Sequence, residues 1–517
     1  MMKRLLAFGM FAVCLTASAS ADPYDQLPSY GYPSEAAQQL NPYDAVPEVD
    51  PRWCRFGGYC PRPWGYRDEH REGHREEHHE GPKLPGMLGH ETLLVDCGRA
   101  WHQDYDGERH ESHHEGRREE RHEGHRTVFF SIDEAAEAAS PNATILIIPP
   151  GEGMTCVESV HIHKPLTLAT YGGSGKAVIQ APPGKPCLTA HIPLGDSLII
   201  DGVKFIARSR ETPCVAVEAG HVTMRNSQVD SRGADWAFDV RESGELTLEQ
   251  SRIETDFSGV HARRATVTLK NVDIDIAGRN GAAFLNLGRT DCLDRDGGTI
   301  HGSVGLALEC SEGSVESTNI IGASIGILAS SGTRGLRLTD VKLTKPDTGI
   351  LLLPGQLGMV TVERSTITKA RDGIIVAPGA ESQITGNVIS DNRETGITTF
   401  GAGALISNNK IVGAEDGIRM LASQAFPPPM FPDFAAIPII DSDGGGPVVE
   451  NNLIANAHHA GVRIDGRFGG AQHRLNGKLM GNTIYVEHGQ CIDDDYNDDP
   501  VRVRANTCNR DHFNWLF

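Results

Sequence analysis

Two neighbouring stretches, GNVISDNRETGITT (386–399) and NNKIVGAEDGIRM (408–420), share one template: a polar pair, a buried-type Ile, a short polar bridge, then Gly-Ile. The central apolar position of this template can be followed as Phe205, Val229, Ile253, Ile274, Ile300, Ile320, Leu343, Ile367, Ile389, Ile411, Ile454 and Ile484. The steps between them are 24, 24, 21, 26, 20, 23, 24, 22, 22, 43 and 30 residues, and the step of 43 contains an insertion at 421–450. A period this short means that each unit buries its apolar face only against its neighbours, so the chain grows by stacking.

Each unit holds two or three short β-type runs, such as ALIS, NKIV and GIRM, and has no room for a full helix. Helical repeats and leucine-rich repeats are thereby excluded. The pattern fits an all-β, right-handed parallel β-helix of roughly 14 coils, about 65 Å long at about 4.8 Å per coil. Ile, Leu and Val fill the bore. Asn226, Asn271, Asn387, Asn409, Asn452 and Asn482 mark a corner whose amides can bond along the stack. Gly259, Gly305, Gly326, Gly349, Gly373, Gly396, Gly417 and Gly461 precede the third strand and allow a sharp bend there.

The rest of the 517 residues divides around this solenoid. Residues 1–21, with Lys3 and Arg4, an apolar run and Ala19-Ser20-Ala21, read as a cleavable secretory signal. No later run is apolar enough to span a bilayer. An exported protein, periplasmic or secreted, is expected. Residues 22–126 are expected to be irregular, first rich in Pro and Tyr, then in His, Arg and Glu; HETLLVDCGRAW (90–101) interrupts them as a candidate strand. The β-helix is expected over 127–517. It opens with a capping helix having Ser131 as N-cap and Glu134 at the capping-box position, and closes with an aromatic cap at 509–517.

Eleven cysteines occur, and removal of Cys14 with the signal leaves an even ten. Pairing nearest neighbours gives Cys54–Cys60, Cys97–Cys156, Cys187–Cys214, Cys292–Cys310 and Cys491–Cys508, in keeping with an oxidising compartment. Cys187 and Cys214, each preceded by Pro, sit one coil apart, which would bring their Cα atoms to roughly 5 Å. The formal charge of −20 argues against nucleic acid as a partner.

The units resemble the parallel β-helix repeats of the pectin lyase-like superfamily over residues 131–515, and SIDEAAEAASPNATILIIPPGEG followed by KPLTL resembles the opening of such proteins. The resemblance implies a polysaccharide as partner and, if there is catalysis, a lyase, hydrolase or epimerase reaction. The Asn-Thr-Asp, Asp-Asp and Gly-His-Gly signatures of polygalacturonase-like enzymes and the Asp-Pro-His-Asp of alginate-epimerase-like proteins are missing; GVRIDG (461–466) only faintly echoes an Arg-Ile-Lys. No one enzyme family is therefore selected.

Candidate site residues come from strand periodicity. The third residue of each Gly-Ile strand should face outward. Along the stack these positions read Ala216, Asp239, His261, Ala307, Leu328, Leu351, Ile375, Thr398, Arg419 and Arg463. They describe either a stripe covered by other segments or a ligand groove with charged ends, in which Asp239, His261, Leu328, Leu351, Ile375 and Arg419 would touch the ligand. His458, His459, Arg463, Asp465 and Arg467 are the densest set of acid, base and anion-binding groups and the candidate catalytic cluster. Asp493 and Asp495, within CIDDDYNDDP, offer oxygen ligands for Ca or form a solvated acidic loop. His74, His78 and His79, and His110, His113 and His114, have spacings that a helix would converge on Zn or Cu. Those tracts, with 11 of the 22 histidines between His70 and His125, leave open an alternative: a structural or metal-handling scaffold, or a plain charged spacer.

Overall fold

The computed structural model describes residues 91–98 and 128–510 apart from short gaps, chiefly 150–154, 279–283, 287–291, 293–298, 423–445 and 495–500. The signal segment, the His-rich tracts, Cys54, Cys60, the body of the 421–450 insertion and the aromatic tail lie outside the described residues. All described residues fall within one compact unit, Gly86–Phe517.

Three parallel faces wind around a single apolar bore, and the chain folds as a right-handed parallel β-helix. One coil runs Ser382–Thr385 on sheet A, Val388–Ser390 on sheet B and Thr395–Phe400 on sheet C; the next repeats it as Ala404–Ser407, Lys410–Val412 and Asp416–Leu421. Sheet B stacks 14 strands. Sheets A and C are joined because one long strand, Val215–Arg225, runs from C into A without a break. The strand expected at 90–101 is present as Thr92–Val95. It pairs with Thr144–Ile147 and so adds to the first rungs.

The apolar column foreseen from the repeat is the sheet B register: Phe205, Val229, Ile253, Ile274, Ile320, Leu343, Ile367, Ile389, Ile411, Ile454 and Ile484 are successive partners. Ile300 is the exception. Ile274 pairs directly with Ile320, and Thr299–His301 folds back antiparallel on Phe284–Asn286. The two steps of 26 and 20 are therefore one coil with a hairpin excursion, which the Cys292–Cys310 disulfide ties to the stack. An apolar residue at the right spacing mimicked a coil, but the antiparallel partner was closer in sequence and satisfied its backbone locally.

The Asn corner is correct in part. Asn387, Asn409, Asn452 and Asn482 form a buried ladder that ends on the half-buried Asn506, each amide nitrogen donating to the next amide oxygen at 2.9–3.0 Å. Asn226 and Asn271 do not join it. They occupy the preceding corner position, with φ of 50° and 53°, where Asn tolerates the left-handed region better than most residues. The ladder position holds Ser227 after Asn226, Ser251 after Gln250 and Val272 after Asn271. The Gly column also has a different cause from the bend expected. These glycines are not left-handed; a Cβ on Gly305 would lie 2.5 Å from the carbonyl oxygen of Gly326, and the same crowding recurs in each later coil.

The capping helix spans Ile132–Ala138 and buries Ile132, Ala135 and Ala136 over the first coil. Ser131 Oγ accepts from Glu134 N at 3.3 Å, as expected of an N-cap. The reciprocal carboxylate is not Glu134 but Glu158, which accepts from Ser131 Oγ (2.8 Å), Ile132 N (3.0 Å) and Asp133 N (3.1 Å). A carboxylate at a helix start satisfies exposed N–H groups and the dipole together, and a distant residue can supply it as well as a local one. Four of the five expected disulfides are formed, Cys97–Cys156, Cys187–Cys214, Cys292–Cys310 and Cys491–Cys508; the Cα separation in the second is 5.0 Å.

Candidate functional site

The outward positions of sheet C are in register as the periodicity implied. Ala216, Asp239, His261, Ala307, Leu328, Leu351, Ile375, Thr398, Arg419, Arg463 and Asp493 are successive partners. Their environment differs from an open groove. Ala307, Leu328, Leu351 and Ile375 are buried, and with Val304, Ile325, Leu353, Ala377 and Phe400 they make a second apolar cluster outside the bore. Apolar side chains one coil apart cover one another, and Trp236 and Leu421 pack against the cluster from the described residues. Leu328, Leu351 and Ile375 are thus packing residues, not an exposed ligand floor. Charged groups gather at the two ends of this stripe.

At the late end, Asp416 begins a sheet C strand and its side chain is 1% exposed. Arg419, three residues on and facing the same way, donates to it from Nε at 3.0 Å. His459, at the corner of the next coil, holds its Nδ1 2.8 Å from the other Asp416 oxygen. Arg463 approaches Asp416 at 3.9 Å and Asp465 at 3.8 Å, while His459 Nε2 lies 3.9 Å from Asp493. A carboxylate can only accept, so Asp416 selects the Nδ1–H tautomer of His459, and in the neutral ring Nε2 carries the lone pair. His459 remains 47% exposed. The result is an exposed imidazole, oriented from behind by a buried carboxylate, beside two guanidinium groups on successive coils. Such an array can grip hydroxyl and carboxylate groups and can move a proton.

Of the residues expected here, His459, Arg463 and Asp465 come together with Arg419 and Asp493. His458 is exposed and has no ion pair among the described residues. Arg467 pairs through its backbone with Gln472, and its side chain lies outside the described residues. Asp416 was not foreseen. The signal available was an acid at a strand position that reads Thr348, Asp372, Thr395, Asp416 and Ala460 along the stack. Asp493 was expected as a metal ligand; its neighbour is instead the His459 ring, and Asp495 lies outside the described residues. Among the described residues, the one group of three ligand-type side chains close enough to share a metal is Cys97, Cys156 and Glu158. Its two sulfurs are joined in a disulfide and its carboxylate caps the helix.

At the early end, His261 is held between two buried acids, Asp239 at 3.3 Å from Nδ1 and Glu309 at 3.6 Å from Nε2. The Trp236 ring stacks on it with centroids 4.6 Å apart, and Arg241 pairs with Asp239. Burial by itself would push the imidazole pKa down, but the two carboxylates more than reverse this and hold it up at about 9. His261 is therefore an imidazolium at neutral pH and serves as a fixed charge, not as a base. The Asp239 carboxyl, which burial would raise, is held below its ordinary range by His261 and Arg241.

Fold and site together define a parallel β-helix protein with an Asp-His-Arg cluster on one face, its carboxylate buried and its imidazole exposed. A family model described as "Right handed beta helix region" matches residues 331–511, about a third of the chain. No curated protein matches the sequence. Among solved structures, the chain is similar to the A-module of a mannuronan C-5 epimerase from Azotobacter vinelandii, at 13% identity, covering 74% of this chain and 94% of that one, with a TM-score of 0.44. It is also similar to an alginate lyase from a Paenibacillus species (13% identity, 73% and 96% covered, TM-score 0.31). A third is a tailspike protein of the E. coli bacteriophage HK620 (11% identity, 72% and 75% covered, TM-score 0.40). These likenesses concern the winding of the backbone.

Proposed function

We propose that this is an exported protein that binds a polysaccharide across the late coils of sheet C. In this reading Arg419, Arg463 and Asp493 contact sugar hydroxyls and carboxylates, and His459 is the group able to transfer a proton should the bound glycan be modified. The observation that carries the reading is the His459 cluster: a buried Asp416 orients an exposed imidazole beside two guanidinium groups repeated one coil apart. Side chains repeating at about 4.8 Å along a face suit a ligand that is itself a repeating chain. The cluster holds two guanidinium groups against the carboxylates of Asp416, Asp465 and Asp493, so with neutral His459 it is close to charge balance. That balance suits a hydroxyl-rich polymer better than a nucleic acid. Four disulfides support an oxidising compartment, and no helix among the described residues is long and apolar enough to cross a membrane.

Affinity gels and a glycan array with uronate polymers and neutral cell-wall glycans test the binding. Wild type is expected to bind at least one glycan, and Arg463→Ala to lose it. Failure of wild type on every glycan, or an Arg463→Ala protein that binds like wild type, would overturn the proposal. For catalysis, unsaturated, reducing-end and epimerised products are followed in wild type and in His459→Ala; loss of product with binding retained would assign the proton transfer to His459.

A further inference from the structure

The corner that carries His459 is used a second time. Two to four coils earlier, at the same turn from sheet B into sheet C, a pocket of about 310 Å³ is lined by Lys345, Lys369, Arg393 and Asp347, together with Gly322 and Ser324. Three cations there face one carboxylate, in a chain whose formal charge is −20. Arg393 donates to Asp347 at 3.0 Å. Neither lysine ammonium has an ion pair or hydrogen bond among the described residues.

The backbone under the lysines is left-handed, as at other corners of the stack. Lys345 and Lys369 have φ of 58° and 59°, in a column filled in other coils by Gly322, Asp391, Gly413 and Asn456, residues that enter the left-handed region more easily. Lys345 N bonds to Thr368 O at 2.9 Å and Lys369 N to Ser390 O at 3.0 Å, so the two side chains leave the backbone one coil apart, about 5 Å. Two like charges are thus placed side by side, unpaired, on a backbone that a smaller residue would suit better. A concave site lined by uncompensated charge of one sign concentrates the opposite charge and so favours an anion. Asp347, Arg371, Glu394, Glu415 and His459 follow one another along this edge. The basic pocket therefore lies two to four coils, about 10–19 Å, from the imidazole along one line.

We infer that the Lys345–Lys369–Arg393 pocket is an anion subsite for a carboxylate or sulfate group of the bound polysaccharide, which makes the ligand an acidic glycan; this rests on the reading of His459 and Arg463 above. The charges act without proton transfer. The pocket holds one acidic sugar while the chain extends along the edge toward His459.

The test uses the full chain, a Lys345→Gln/Lys369→Gln variant and Arg463→Ala. Titration probes are an oligogalacturonate, a sulfated oligosaccharide, a neutral dextran oligomer and free galacturonate. Both lysines are exposed, so the double variant should fold as wild type does. Wild type is expected to prefer an acidic oligomer, and the variant to bind it about ten-fold more weakly with most of the salt dependence gone. The carboxylate and sulfate arms then tell which anion is taken. Equal binding of the acidic oligomers by variant and wild type overturns the subsite, and loss in Arg463→Ala alone would leave the proposed function standing. Wild type binding the neutral oligomer as tightly as the acidic ones also overturns it. If no oligomer binds, the proposed function fails and free galacturonate decides the pocket: binding that the lysine variant loses supports the subsite, and no binding overturns it.

Discussion

Replacing Asn409 by Ala should remove more stability than its small size suggests. Its side chain makes four hydrogen bonds inside the stack: it accepts from Asn387 N (3.0 Å) and Asn387 Nδ2 (2.9 Å), and donates to Asn452 Oδ1 (3.0 Å) and Ile384 O (2.8 Å). The substitution leaves Asn387 N without a partner in a buried corner, whereas Ile384 O stays in the sheet A ladder, Asn387 Nδ2 keeps Val362 O and Asn452 Oδ1 keeps Asn409 N. One orphaned backbone donor at about 1–3 kcal/mol, with the other side-chain bonds lost at about 1 kcal/mol together, gives a cost of about 2–4 kcal/mol. Asn506, at the last rung, provides the control. It makes three such bonds but is only half-buried, so water can replace them and Asn506→Ala should cost about 1 kcal/mol. Urea unfolding of both variants, with hydrogen exchange to locate the weakened coils, measures the difference. Equal losses, or exchange that rises uniformly along the chain and not around coils 362–454, would refute the ladder argument, because a solenoid transmits a defect mainly to its neighbours.

His261 predicts a pH dependence. Its folded pKa of about 9 lies above the ordinary 6.5, so its contribution, on the order of 3 kcal/mol, is fully present below about pH 6.5 and lost as pH rises through about 9. The stability gap between wild type and His261→Gln, followed by urea unfolding from about pH 6 to about pH 10, should therefore narrow with rising pH; a constant gap would mean that the charge is not the stabilising element. Gly373→Ala should cost about 2–4 kcal/mol, since its Cβ would meet Asn392 Nδ2 at 2.7 Å and Ile389 Cγ2 at 2.9 Å besides the Gly396 carbonyl. Gly379→Ala, at φ 72° with open space around it, should cost only about 1 kcal/mol. Thermal unfolding distinguishes the two, and similar losses would refute the crowding argument. Removing the Cys187–Cys214 bond by a double Ser substitution should cost about 3.5 kcal/mol in the chain-entropy model, checked by unfolding under identical conditions.

Much of the architecture was legible in the chain itself, because a stack of coils repeats its local rules. The period of the apolar residues set the sheet B column from Phe205 to Ile484. The alternation of strands set the outward column from Ala216 to Arg463. The spacing of Cys187 and Cys214 set their disulfide. Each is a relation between a residue and its copy one coil away, and such relations survive in one dimension. Only the tertiary structure decided what depends on several coils at once. Ile300 left the stack because an antiparallel partner was nearer, and Glu158 displaced Glu134 as the acid at the helix start because it reached three donors together. Leu328, Leu351 and Ile375 were set outward by period but buried by their neighbours. Asp416, 43 residues before His459 in sequence, became its orienting carboxylate because the coils that carry them are stacked in register. Burial and ion pairing are properties of a surface assembled from many coils, and no single repeat contains them.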